Sequence, residues 1–295
     1  MTARALLNLG LAALGLALVL VVIYRPGLEP EAVPQPIITS LAPDAVVSIT
    51  VTRESREQLT FTRHDKRWYV FTGTHELPAA EFQINALLRV LETTADTRYP
   101  AESLDLAQFG LEPPQATVTF NEQEFRFGTT EALQRRRYLQ LADSVYLVAD
   151  KYQHLVSAEP YNFVARKLLA GRGAISRLEL PGMTLSQPAG MHWQLDPASD
   201  KVSADALQQL VNSWQNASAL YVTGYDGAET TEQVTIHTTG QAEPLVLQVV
   251  SNAPNLVLAN ADRGIRYHLA PGLEGSLFTL PEPEEEITTE DTEGR

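Results

Sequence analysis

Residues 46–71, VVSITVTRESREQLTFTRHDKRWYVF, decide the fold. Apolar and polar side chains alternate through them with the two-residue period of strands that bury one face. The pattern then changes period. Pro78 reads as a helix start, and Ile84, Leu87, Leu88 and Leu91 recur at i, i+3, i+4 and i+7, the apolar stripe of a helix laid on a sheet. Beyond a loop at 99–114 the strand signal returns as ATVTF, EFRFG, YLQLA and SVYLVA, ending near Asp150.

The second half of the chain repeats that order. Strand patterns occupy 175–180 and the stretch from Met191 to Leu195, which includes His192 and Trp193. A helix opens at the good N-cap residue Ser203, with Leu207, Leu210, Val211 and Trp214 at the same spacing. QVTIH, PLVLQVV, NLVLAN and IRYHLA follow as strands. Trp68 matches Trp193 at an offset of 125, Leu87 matches Leu210 at 123, and Val118-Thr119-Phe120 resembles Val234-Thr235-Ile236. Strand, helix, strand is a common order, but agreement between offsets from different elements points to an internal repeat. The expected fold is α+β: an N-terminal transmembrane helix, then two tandem similar units, each a mainly antiparallel sheet packed with one helix.

Working outward, residues 5–24 (ALLNLGLAALGLALVLVVIY) run from Ala5 to Tyr24 without a charge. A helix of that length covers roughly 30 Å, the thickness of a bilayer's hydrocarbon core. No small-x-small cleavage site follows, so an uncleaved anchor is expected in place of a signal peptide. Arg4 and the terminal amine before the run place the N-terminus in the cytoplasm and the bulk in the periplasm of a bacterial inner-membrane protein. The expected organisation is 1–25 cytoplasmic tip and anchor, 26–44 proline-rich spacer, 45–165 first unit, 166–173 linker, 174–280 second unit and 281–295 disordered acidic tail. Gly171-Arg172-Gly173 reads as a hinge between the units.

Charge and cysteine content exclude several functions. The 295 residues carry a net charge of -14, which argues against nucleic acid as a partner. Residues 281–295 hold seven acids against one arginine and residues 1–24 carry only Arg4, leaving a moderate -9 for the body between them. Such a tail reads as a solvated end or as a docking peptide for a basic partner. The absence of cysteine removes disulfides, thiolate metal sites, cysteine nucleophiles and a lipoprotein anchor.

No motif declares a reaction. His64, His75, His154, His192, His237 and His268 never fall in HExxH or HxH spacing, and no GxSxG elbow, phosphate loop or DxDxDG loop occurs. No catalytic residue, metal or cofactor is therefore expected. Asp65, Glu112, Asp143, Asp150 and Asp262 fit turn and cap roles better than an acid–base pair. Trp68 and Trp193 read as core anchors, with sugar stacking as the alternative. Arg135-Arg136-Arg137 forms a basic cluster, read as a solvated hairpin connection or as a patch for anionic headgroups or an acidic partner.

Trp68, Leu77-Pro78-Ala79 before the helix, Phe109-Gly110-Leu111-Glu112-Pro113, Gly128, Tyr138 and Val145-Tyr146-Leu147 resemble, over residues 46–155, the domain-of-unknown-function 4340 family. Gly110 and Pro113 then read as a turn leading into the next strand. The second copy has no Gly-Leu-x-Pro equivalent. The resemblance implies a bacterial envelope protein with an N-terminal anchor and an extracytoplasmic domain, some relatives being associated with gliding-motility-type ABC transporter components. It supplies no catalytic set. The function expected is thus a non-catalytic accessory or scaffold protein for protein–protein contact. The alternatives are a binder of a small molecule or envelope polymer in a cleft between the units, and an unrecognised hydrolase.

Overall fold

The structure, a computed structural model, describes residues 3–24, 37–73, 75–95, 97–132, 135–188, 191–227, 230 and 232–281. Most of the expected spacer and nearly all of the expected tail lie outside the described residues. Helix α1 occupies Ala3–Tyr24, with exposed side chains over 10–20, the part in which they are described. Counting only such residues, no helix is long and apolar enough to cross a membrane.

The first unit begins with the quoted stretch. Strands β1 (Ser48–Arg53), β2 (Leu59–His64), β3 (Arg67–Thr72) and β4 (His75–Pro78) form an antiparallel meander. Its alternation is the burial pattern: Ile49, Val51, Leu59, Phe61, Trp68 and Val70 face inward. Asp65 and Lys66 close the β2–β3 hairpin with φ of 51° and 63°, the doubly positive φ of a primed turn that matches strand twist. Helix α2 (Glu81–Leu88) lays Ile84, Leu87 and Leu88 on the same core, and Leu91 follows in a 3-10 turn. Then come β5 (Thr97–Pro100), β6 (Ala116–Phe120), β7 (Gln123–Thr130), β8 (Arg136–Leu141), β9 (Ser144–Ala149) and α3 (Gln153–Val156). The sheet order is β4-β3-β2-β1-β6-β7-β8-β9-β5.

The second unit contains β10 (Ile175–Leu180), β11 (Met183–Ser186), β12 (Gln194–Asp196), α4 (Ala204–Asn216), β13 (Tyr221–Gly224), β14 (Gln233–Thr238), β15 (Leu245–Ser251), β16 (Val257–Asn260), β17 (Ile265–His268) and α5 (Leu273–Phe278). Its order is β12-β11-β10-β14-β15-β16-β17-β13. Remove β4 from the first sheet and the two orders coincide strand for strand. Register agrees as well. Val70 lies opposite Phe61 and Leu195 opposite Leu185, which puts Trp68 and Trp193 at the same place in the two sheets. Tyr146 and Tyr267 each sit between a leucine (Leu139, Leu258) and a residue of the far edge strand (Arg98, Val222). In both units the long helix meets a short C-terminal one: Tyr152 donates to the Arg89 carbonyl at 3.0 Å, and Trp214 Nε1 to that of Leu277 at 2.6 Å. The chain is α+β with a repeated sheet architecture.

Three expectations are corrected. Pro78 ends β4 and does not start α2, which begins at Glu81: the residue before a proline is driven to extended backbone, so Leu77 continues the meander. Strand β12 begins only at Gln194, so His192 and Trp193 precede it, although Trp193 is still buried. The hinge is a packed strip. After a 3-10 turn at Pro160–Phe163, Val164 pairs with Ala79 and Lys167 with Ser218, so the segment runs between the edges carrying β4 and β13. Backbone bonds hold it on both sides, Ala165 N to Pro78 O at 2.8 Å and Ala219 N to Arg166 O at 2.9 Å. Leu168 and Leu169 are buried in a hydrophobic core common to both units. At Gly173 an added Cβ would collide with the Thr239 carbonyl oxygen, fixing the end of the strip.

Candidate functional site

The arginine cluster does not form a patch. Arg135 takes a φ of 53° at the turn, but Arg136 and Arg137 belong to β8, and strand parity puts Arg137 on the inward face with Leu139 and Leu141. Its side chain is only 7% exposed and makes a bidentate pair with Asp150, Nε to Oδ1 at 2.9 Å and Nη2 to Oδ2 at 3.0 Å. It also donates to Gln115 Oε1 at 3.1 Å, Thr130 Oγ1 at 3.0 Å and the Gly128 carbonyl. The Arg137 hydrogen bonds hold the Asp150 carboxyl below its ordinary 3.8. Asp150, in the bend that follows β9, is thus also an ion-pair partner.

The signature residues gather around this pair. Gly110 adopts a φ of 64°, and an added Cβ would come within 2.8 Å of Thr129 Cγ2. At Gly128 an added Cβ would strike the Phe109 carbonyl oxygen and Leu111. Phe109 packs on Tyr138 with ring centroids 4.6 Å apart, and Leu111 bridges to Pro114. Phe109, Gly110, Leu111, Gly128, Arg137 and Tyr138 are therefore a buckle that fastens the 101–114 loop to β7 and β8. Pro113 lies in the turn that leads to β6. The role is structural.

The site lies where the two sheets meet. A groove of about 710 Å³ is floored by Trp68, Pro78, Ala79, Ala165 and Ala170, and its walls carry Phe82, Arg67, Arg166 and Lys167. Phe82 stands 77% exposed at the first turn of α2, a large apolar side chain in water. Arg67, Arg166 and Lys167 are exposed, and among the described residues none forms an ion pair. Arg67 donates to the Gly171 carbonyl at 3.1 Å, fixing its guanidinium beside the strip. No side chain caps α2 at Ala80, so the helix presents its partly positive N-terminus to the groove. Glu81 is the one carboxylate in the lining, which contains no histidine. Beyond the strip, Arg172 is held at the Glu243 carbonyl, and desolvation with repulsion from Arg263 lowers its pKa. The junction of an acidic protein thus collects cations.

The repeat supplies an internal control. The equivalent corner of the second unit, lined by Trp193, Ala204, Asp205 and Gln208, is a depression of about 280 Å³ with no lysine or arginine in its lining. What distinguishes the first corner is the strip, which raises the far wall and delivers Arg166 and Lys167. A separate depression of about 500 Å³ near Glu122, Glu124 and Asp143 holds a single basic residue, Arg126, already paired with Glu124. No signal in the sequence singled out Phe82, Arg67, Arg166 or Lys167. Of the lining, the sequence marks Trp68, Pro78, Ala79 and Gly171, and Trp68 is a core anchor that also floors the groove.

Comparison with known proteins follows the same geography. A family model described as a domain of unknown function (DUF4340) matches residues 68–235. No curated protein and no solved structure matches the chain. The match starts at Trp68 in β3 and ends at Thr235 in β14, so it extends past residues 46–155, where the resemblance lies, and takes in the buckle, the strip and all of the groove lining but Arg67. With more than half of its length matched, the chain belongs to the DUF4340 family.

Proposed function

We propose that this protein is a membrane-anchored, non-catalytic accessory protein that binds an extended acidic segment of a partner protein in the groove between its two sheets. The observation that carries the reading is the pairing of an exposed Phe82 with three cations that form no ion pair among the described residues, at the junction of a chain whose net charge is -14. An apolar contact flanked by a majority of charges of one sign, here three cations against Glu81, is how a binding face combines affinity with selection of partner charge. Attachment rests on the uncharged run 5–24 of the sequence, whose 20 residues would measure roughly 30 Å as a helix. The proposed orientation keeps Arg4 on the cytoplasmic side and the sheets across the inner membrane, near a partner such as the transporter components the family resemblance implies.

A small-molecule or polymer reading uses the same groove. It is the weaker one, because Trp68 is only 7% exposed and offers no open face for a sugar ring. A photo-cross-linking residue at position 82, with position 201 as a remote control, tests the partner reading in intact membranes. A discrete adduct with another protein at 82, absent at 201 and lost when Arg166 and Lys167 are changed to glutamate, is expected. Equal labelling at both positions, or no protein adduct at 82, would overturn it.

A further inference from the structure

We infer that the protein's own acidic tail, residues 282–295, occupies this groove when no partner does, so that binding is self-competed. The inference rests on the groove reading above. Residues 281–295 read PEPEEEITTEDTEGR, with seven acids, one arginine and a single large apolar side chain, Ile287. That composition is complementary to the groove: acids for Arg67, Arg166 and Lys167, and one apolar side chain for Phe82 and the floor beneath it.

Position supports the same pairing. Pro281, the last described residue, lies beside Gln209, Ser213 and Gly275 on the α4–α5 face. From Ser213 the chain finishes α4 at Asn216 and reaches Ser218, which lines the groove. That path is about 11 Å at helical and extended rises. A tail of ~14 residues reaches up to about 46 Å extended and roughly 20 Å as a flexible chain. The groove therefore lies within its ordinary reach. A segment tethered at this range acts at an effective concentration of millimolar order, so even a millimolar-weak attraction half-fills the groove.

Zero-length carbodiimide cross-linking of the full chain in detergent, followed by peptide mapping, tests this. The lysines are Lys66, Lys151, Lys167 and Lys201. Amide links from tail glutamates should fall on Lys167 at least about fivefold over the other three. They should fade at 0.5 M salt, where screening shortens the Debye length to about 4 Å, and drop in the E284Q/E285Q/E286Q variant. In a mixture of isotopically light and heavy chains the links should stay within one chain. That variant should also raise the partner adduct at position 82 severalfold. Links spread evenly over the four lysines, or links chiefly between chains, would overturn self-docking. If the partner adduct at 82 persists while Lys167 stays unlinked, self-docking fails and the groove reading stands; if both are lost, both fail.

Discussion

Replacing Arg137 with alanine separates its surface reading from its buried one most sharply. The side chain is 7% exposed and serves both oxygens of Asp150, whose own side chain is 18% exposed. Removing it leaves that carboxylate with the Thr130 hydroxyl at 2.9 Å and strips a partner from Gln115 and the Gly128 carbonyl. Breaking one side of a buried pair costs about 3–5 kcal/mol, against within ~0.5 kcal/mol for an ordinary surface position. With a urea m-value of ~2 kcal/mol/M the midpoint should fall by roughly 1.5–2.5 M. In thermal melts the same loss is roughly 6–20 °C for a body of this size. Exchanging the pair for apolar residues, Arg137→Met with Asp150→Leu, should recover most of it, since no charge is then stranded. The pH dependence has a definite sign. The folded carboxyl sits below 3.8, so the contribution is complete above that value and is lost as pH falls through the folded one; Arg137→Ala should lack that acid-side slope. An Arg137→Ala midpoint shift no larger than that of the exposed Arg135→Ala would refute the reasoning.

Other outcomes follow from the same geometry. Gly128→Ala should destabilise by about 1–3 kcal/mol through its collision with the Phe109 carbonyl and Leu111, more than Gly182→Ala, where the surroundings are open and only the positive φ opposes a side chain; paired denaturant titrations compare them. Phe82→Ala should leave the unfolding midpoint unchanged within ~0.5 kcal/mol, because the ring is exposed, yet abolish the groove adduct made from a cross-linker at Gln83. Burial raises the Tyr267 phenol above 10.0, so folding holds its proton more tightly and stability should decline as pH rises past that value. Tyr267→Phe should flatten the alkaline limb, which melts between pH 8 and 11 would show.

Much of the architecture is legible in the chain because its periods are physical. Alternation in 46–71 is the burial of β1 to β3, and the offset of 125 survives as register-equivalent positions of Trp68 and Trp193, while that of 123 relates Leu87 in α2 to Leu210 in α4. Arg137 was misplaced because residue type was weighed over strand parity. The inward rank of Arg137, Leu139 and Leu141 is visible in the sequence as RYLQL, and an arginine in it signals a nearby carboxylate, here Asp150 just past the end of β9. Pro78 was misread for a similar reason: a proline before an amphipathic run suits a helix start, and equally the end of an edge strand. A cleft between the units is expected from the two-unit organisation, but which residues line it is not legible. Arg67 and Phe82 reach Arg166 and Lys167 only because 164–168 threads between two sheet edges, a long-range pairing that no local spacing encodes.

The strip between the sheets also bears on how the molecule avoids aggregating with its own copies. Two antiparallel sheets have four edges, each a row of unpaired amides able to recruit a strand from a neighbouring molecule. Hydrogen bonds from 164–168 engage the ends beside β4 and β13, so two of those edges face inward. The remaining two are poor templates: β5 carries Arg98 and ends in Pro100, and β12 is three residues long and stops at Pro197. Sheets joined in this way can be concentrated without zipping into aggregates.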